Sequence, residues 1–126
     1  MPYLLDSDVL IDISRDMARA NNYVDTLPDR WMISQVTAME LLVGARDKRD
    51  VFFIDAFLSS YPIVPLSDSI GRKAYDLLKL YAKSHGLHVF DSLIAATALE
   101  KGLMLVTKNQ RHFAMIDELI LQVPGY

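Results

Sequence analysis

Three acidic residues stand where chemistry is easiest to imagine. Asp6 directly follows the apolar run Tyr3-Leu4-Leu5, and a helical pattern begins just after it. Glu40 falls in the segment Val36–Val43, where Val36, Met39, Glu40 and Val43 share one face by their i, i+3, i+4, i+7 spacing. Asp91 opens a helix whose face continues through Ile94, Ala95 and Ala98. Each acid has an ordinary structural reading. Asp6 and its neighbour Asp8 suit a helix cap. Glu40 suits the edge of an apolar stripe, paired with Arg46 or Lys48. Asp91 suits the positive end of a helix dipole, which is worth about 0.3–1 kcal/mol. A carboxylate facing a core is costly unless it is paired, protonated or bound to a cation, which makes Glu40 the most telling of the three. Converging carboxylates repel one another, and a hard ion such as Mg²⁺ or Mn²⁺, which takes oxygen ligands, resolves that conflict.

Other chemistries find less support. The chain has no cysteine, so disulfides, thiolate zinc sites and cysteine nucleophiles are excluded. His85 and His88 flank Gly86 in an expected loop, and no HxxxH spacing exists, which argues against zinc. Arg46, Lys48 and Arg49 follow the Glu40 segment, and Lys108 and Arg111 follow an apolar run at 103–106. These cations are either solvated surface or phosphate contacts, which give affinity without sequence choice.

Positioning such residues requires a frame, and short apolar runs alternate with longer segments of helical period. Strands are expected at Tyr3–Leu5, Trp31–Ile33, Ile63–Val64 (an edge strand between two prolines), Leu103–Val106 and 119–123. Helices are expected after Ser7 or Asp8 as cap, around Tyr23–Leu27, from Ser34 or Thr37 to Gly44, and through Val51–Leu58. Two more follow: one from Ser67 to Gly86 with Ala74, Tyr75, Leu78 and Ala82 inward, and one from Phe90 to Lys101. Alternation of this kind implies a parallel sheet between helices, with sites beyond the carboxyl ends of its strands. Asp6, Thr107 and Asn109 all fall at such ends.

The composition agrees with one domain spanning residues 1–126. The chain is 52% hydrophobic and 23% charged, without repeats or linkers. Its net charge of −3 argues against binding nucleic acid through a large basic surface. It leaves room for a nucleic-acid enzyme whose metal offsets an acidic pocket. The start Met-Pro-Tyr-Leu-Leu-Asp has no signal-like region and no run approaches a membrane span, so a cytoplasmic protein is expected.

Four segments together resemble the PIN-domain ribonucleases, and within them the VapC-type toxins of toxin–antitoxin pairs. They are Tyr-Leu-Leu-Asp-Ser-Asp-Val-Leu-Ile at 3–11, Ser-Gln-Val-Thr-Ala-Met-Glu-Leu-Leu-Val-Gly at 34–44, Asp-Ser-Leu-Ile-Ala-Ala-Thr-Ala at 91–98, and Leu-Val-Thr-Lys-Asn-Gln-Arg-His-Phe at 105–113. The resemblance implies a three-layer α/β/α domain with a four- or five-stranded parallel sheet. It matches Asp6, Glu40 and Asp91 to the acidic positions that hold Mg²⁺ or Mn²⁺, and it implies an RNA substrate, a cognate antitoxin that blocks the site, and a homodimer. Two positions depart from the pattern. Asn109 stands where many PIN domains carry a fourth acid, and His112 stands where such toxins often have Asp or Glu before the phenylalanine. A second metal is therefore expected to bind weakly unless Asp8 supplies charge.

The expected function is metal-dependent endoribonuclease activity, with Asp6 and Asp91 on the ion. Glu40 would complete the ligand set or orient water, and Thr107 and Asn109 would serve as hydrogen-bonding supports. An alternative is a non-catalytic PIN-like module binding RNA or protein, favoured by Asn109. A further alternative is a magnesium-dependent phosphohydrolase, because Asp-Ser-Asp after a first strand resembles an aspartyl-phosphate motif. For an antitoxin or second subunit, Tyr23, Trp31, Phe52, Phe53 and Phe57 are candidate exposed contacts.

Overall fold

A computed structural model describes residues 1–126. Five short parallel strands form one sheet: β1 (Tyr3–Leu5), β2 (Trp31–Ser34), β3 (Ile63–Val64), β4 (Met104–Val106) and β5 (Leu121–Gln122), in the order β3-β2-β1-β4-β5. The helices are α1 (Ser7–Ser14), α2 (Ala18–Asp25), α3 (Gln35–Val43), α4 (Lys48–Leu58), α5 (Asp68–His85) and α6 (Val89–Lys101), with a 3₁₀ turn at Gln110–His112. This is the three-layer arrangement that the alternation of runs implies, with five strands.

The alternation of side chains along a strand divides the core in two. Leu4 and Leu105 enter the layer under α5 and α6, whereas Tyr3, Leu5 and Val106 enter the layer under α1, α2 and α4. Helix α3 feeds both layers, Val36 into the first and Ala38 and Leu41 into the second. No helix is long and apolar enough to cross a membrane.

Local signals explain the boundaries. The Ser34 and Ser67 side chains accept the Val36 and Ile70 amides and so cap α3 and α5. Gly86 and Gly102 end α5 and α6 in the left-handed conformation, at φ of 71° and 66°, where a side chain would be strained. Of the caps expected for α1, Asp6 rather than Ser7 or Asp8 is the one the structure uses, because the chain stays extended through Asp6 (φ −70°, ψ 162°) before turning.

On α5 the buried stripe is Ile70, Ala74 and Leu77. Tyr75, expected inward, is 64% exposed and lies under the Lys79 ammonium instead. It is adjacent to Ala74 and falls a full 100° around the helix from it.

Candidate active site

The strand order places the site. β1 connects to β2 on one side and pairs with β4 on the other, so the sheet reverses its winding between β1 and β4. Leu5 pairs with Val106 at that seam, and the next residues on the two strands, Asp6 and Thr107, emerge together from the carboxyl edge. The Asp6 amide donates to the Val106 carbonyl at 2.9 Å, and the Thr107 hydroxyl donates to Asp6 Oδ2 at 2.7 Å. A crevice at such a reversal is the usual ligand site of an open α/β sheet.

Asp6 is buried, at 5% exposure, and its other oxygen accepts the Ser7 amide at 2.8 Å. Both partners are neutral. Burial, followed by repulsion from Asp8, raises its pKa to about 7; Asp91 adds repulsion, while the Thr107 and Ser7 hydrogen bonds pull the other way. Asp8 is raised too, first by burial, although its two oxygens accept the Val9 amide at 2.7 Å and the Lys108 amide at 2.9 Å. Asp8 therefore borders the site with each of its oxygens bonded to a main-chain amide.

Glu40 arrives from α3 by a route that the sequence pattern did not reveal. Its presumed core face is not a core face: Val36 is buried, but Met39 is 46% and Val43 86% exposed. The buried residues are Val36, Thr37, Ala38 and Leu41, the face that α3 packs on the sheet and its neighbouring helices. Glu40 therefore lies half-buried at the edge of α3, where Oε1 accepts the Ser7 hydroxyl at 2.7 Å. Arg46, its suggested ion partner, bonds Asp50 instead at 3.4 Å. Ser7 thus joins two acids, its amide on Asp6 and its hydroxyl on Glu40, with Thr37 Oγ1 3.3 Å from that hydroxyl.

Asp91 lies in the first turn of α6, and His112 Nδ1 stands 3.2 Å from its Oδ2. Its pKa is raised, by burial above all, against the opposing influence of His112 and His88. His112 was noted in the sequence only as a departure from a pattern, yet it is the direct neighbour of the third acid. Ser7 gave no sequence signal beyond its place between two acids.

Thr107 is fully buried and accepts the Asn109 amide at 3.0 Å while donating to Asp6. Asn109 is exposed, and its side chain does not cap the 3₁₀ turn. Its main-chain amide is what reaches the site, through Thr107. Each of the three acids is therefore held by a donor: Asp6 by Thr107 and Ser7, Glu40 by Ser7, and Asp91 by His112. No three of the Asp, Glu and His side chains stand close enough together to hold a metal ion as they are placed. Their donor chemistry nonetheless suits a hard cation: the acids offer only oxygens, and Asp6 is buried among like charges with no cation of the protein against it.

Among the expected phosphate contacts, Lys108 is turned away, its ammonium bonded to Asp12 on α1. Arg46, Lys48, Arg49 and Arg111 remain exposed. A groove of about 570 Å³ runs between α1, α3 and α4, with Ile11, Leu41, Ile54 and Phe57 as its apolar floor and Arg15, Glu40, Arg46 and Asp50 as its charged border. Phe52 and Phe53 stand exposed on α4 at 68% and 54%. Tyr23, Trp31 and Phe57, also expected as exposed contacts, pack against the core.

Residues 3–119 match the PIN domain. The chain is 37% identical over 130 residues to ribonuclease VapC10 of Mycobacterium tuberculosis, covering 98% of this chain and 96% of the relative. It is 26% identical over 125 residues to the tRNA(fMet)-specific endonuclease VapC of Shigella flexneri, covering 94% and 95%. Among solved structures, a toxin–antitoxin complex from Klebsiella pneumoniae superposes with a TM-score of 0.76 at 29% identity, over 94% of this chain and 95% of that one. VapBC2 of Rickettsia felis, bound to a fragment of its promoter DNA, gives 0.82 at 26% identity over 98% of both chains. The chain therefore belongs to the PIN-domain family, among the VapC-type ribonucleases.

Proposed function

We propose that this protein is a divalent-metal-dependent endoribonuclease, the toxin of a toxin–antitoxin pair, acting on cytoplasmic RNA. The observation that carries the metal dependence is Asp6, a buried carboxylate at the sheet's reversal point, supplied with neutral donors and neighbouring acids but with no cation of its own. The near-full-length likeness to VapC ribonucleases supports the nuclease activity.

Asp6 and Asp91 would hold Mg²⁺ or Mn²⁺, with Glu40 as third ligand or as the group that orients water. When bound, such an ion polarises a phosphate and lowers the pKa of a bound water. The protein's own residues do the rest. Thr107 fixes the Asp6 carboxylate through Oδ2, and Ser7 fixes Glu40 through Oε1, leaving Oε2 to accept a proton from an attacking water. His112 steadies Asp91 through its Oδ2. Arg46, Arg49 and Arg111 would meet RNA phosphates, and the shape of a folded or single-stranded RNA would set specificity.

The groove beside Glu40 suits the antitoxin: its apolar floor fits an amphipathic segment, and a segment seated there reaches the site's edge. A homodimer is part of the same reading. Purified protein incubated with structured RNA should cleave with Mn²⁺, fail with chelator, and lose activity as Asp6→Asn. Cleavage by the chelated protein, or by Asp6→Asn, would refute the mechanism.

A further inference from the structure

Lys108 sits between two residues of the site, Thr107 and Asn109, yet its side chain leaves the site altogether. Its amide donates to Asp8 Oδ2 at 2.9 Å, and its ammonium bonds Asp12 Oδ2. Asp8 and Asp12 are one helical turn apart on α1, so a single residue is fastened along that turn at both its main chain and its tip. Asp12 is only 7% exposed. It also accepts the Tyr126 hydroxyl at 2.9 Å, so this buried charge has both a cation and a neutral donor.

The connections continue around a closed circuit. The Lys108 ammonium lies 5.4 Å from the centre of the Tyr126 ring, and that ring meets Tyr23 at 5.8 Å. Gln122 donates from its side chain to the Tyr23 hydroxyl, and its carbonyl accepts the Thr107 amide at 3.1 Å. Thr107 is thereby held from β5 on one side and through Lys108 from α1 on the other. The direction of its hydroxyl proton is consequential. Because Thr107 Oγ1 accepts the Asn109 amide, its own proton is turned towards Asp6 Oδ2. Any shift of the 107–109 main chain would disturb both bonds together.

We propose that Asp12, Lys108 and Tyr126 form a clamp that positions the Thr107–Asn109 turn against Asp6, making them positioning residues for metal binding and cleavage rather than contacts to RNA. This rests on the metal site proposed above for its metal readout and on the nuclease reading for its cleavage readout. Among the cations expected to meet phosphate, Arg46 pairs with Asp50 on the surface, whereas Lys108 is bonded to an acid that is only 7% exposed, and the clamp accounts for that.

The experiment compares Lys108→Met, Lys108→Arg and Tyr126→Phe with the unaltered protein, well below the melting temperature of each. Mn²⁺ affinity is read by calorimetry, and kcat and KM are read on a structured RNA. Lys108→Met should weaken Mn²⁺ binding by up to about 10-fold, the low end of what loss of a direct support behind a metal ligand does, because Lys108 acts through Thr107, and should lower kcat with KM little changed. Lys108→Arg should recover most of both. Tyr126→Phe, which keeps the ring and loses only the hydroxyl, should show the same pattern more weakly. Unchanged Mn²⁺ affinity in Lys108→Met would overturn the clamp. So would a raised KM with kcat intact and a salt dependence reduced by about one phosphate contact, the mark of a direct RNA contact. A drop in melting temperature alone, with Mn²⁺ affinity and kcat unmoved, would leave only a structural role and equally overturn it. Should the unaltered protein bind Mn²⁺ but cut no RNA, the nuclease reading fails while the metal affinities still decide the clamp.

Discussion

Asp6 and Asp12 are two answers to one electrostatic problem. They lie six residues apart, at the start and near the end of one helix, and they are almost equally buried at 5% and 7%. Asp12 has an ammonium and a phenol against it, the arrangement by which a folded protein keeps a buried charge. Asp6 has a hydroxyl and an amide, and two further acids close enough to repel it. The first carboxylate is complete within the chain. The second is complete only with a proton or a cation from outside, and that difference separates a structural acid from a functional one more clearly than burial does.

The largest expected effect breaks the comparison on the Asp6 side. Asp6→Asn keeps the shape of the pocket and one of its two acceptor oxygens but removes the charge. It should lower cleavage by about a thousandfold, equivalent to about 4 kcal/mol of transition-state stabilisation, and should abolish Mn²⁺ binding by calorimetry. A variant retaining a tenth of the activity would mean that Asp6 is a cap and nothing more.

The pH dependence of stability tests the same asymmetry without substrate. Asp6 titrates near 7 in the folded protein against an ordinary 3.8. Below 3.8 both folded and unfolded chains are protonated and the site costs nothing. Between the two values the unfolded chain releases the proton and the folded chain holds it, so stability falls as pH rises. Above about 7 the loss is complete, at about 4 kcal/mol for this group alone. Asp8 and Asp91 shift in the same direction and add to the fall. Denaturant melts in chelator should therefore show the unaltered protein losing ground to Asp6→Asn from pH 4 to 8, and Mn²⁺ should restore it at pH 8. Parallel curves for the two proteins would sink the prediction.

How much of this was legible beforehand follows from what each residue answers to. The strands, the helix stops at Gly86 and Gly102, and the Ser34 and Ser67 caps answer to local chemistry, and they read directly from the chain. Asp6, Glu40 and Asp91 were legible as candidates because their motif context marked them. The reasoning for Glu40 nevertheless failed: Met39 and Val43 are exposed, and no spacing rule distinguishes an apolar face turned to solvent from one turned to the core. Tyr75 misled in the same way. Ser7, His112 and the Asp12–Lys108–Tyr126 group were invisible, because their meaning depends on contacts across 33, 21, 96 and 114 residues of chain. The His112–Asp91 separation in particular is set by the packing of the last turn onto α6, not by any local pattern.

On the Asp12 side, removing the partner cation should make the completed acid resemble the incomplete one. Lys108→Met leaves a buried carboxylate with only the Tyr126 hydroxyl. The expected loss is about 2 kcal/mol, less than for a fully enclosed pair because about a third of the Lys108 side chain reaches water. Lys108→Arg, which keeps a cation against Asp12, should recover most of that loss. An equal cost in both variants in denaturant melts would place the effect in packing of the lysine stem rather than in charge.

A smaller effect is expected at Thr107. Thr107→Val removes the donor to Asp6 and the acceptor for Asn109 at once while preserving volume. Since the hydroxyl lowers the Asp6 pKa, its loss should raise the pH at which Mn²⁺ binding develops, and should reduce kcat by about tenfold. Thr107→Ser should restore both. A serine variant as impaired as the valine would assign the effect to the methyl group's packing.

Asp8→Asn should give the smallest change and the sharpest discrimination, because two influences of the same charge oppose each other. Asp8 repels Asp6 and so keeps it protonated, which hinders binding of a cation below about pH 7. The same negative charge attracts the cation once Asp6 is ionised. Removing it should therefore shift the onset of Mn²⁺ binding to lower pH and strengthen binding at pH 6. Above pH 8 it should weaken binding by a few-fold, as expected for a partly screened charge outside the ligand set. The crossing of the two binding curves is the signature of a charge that tunes the site from beside it. Loss of binding at every pH would make Asp8 a ligand, its oxygens using lone pairs that the Val9 and Lys108 amides leave free.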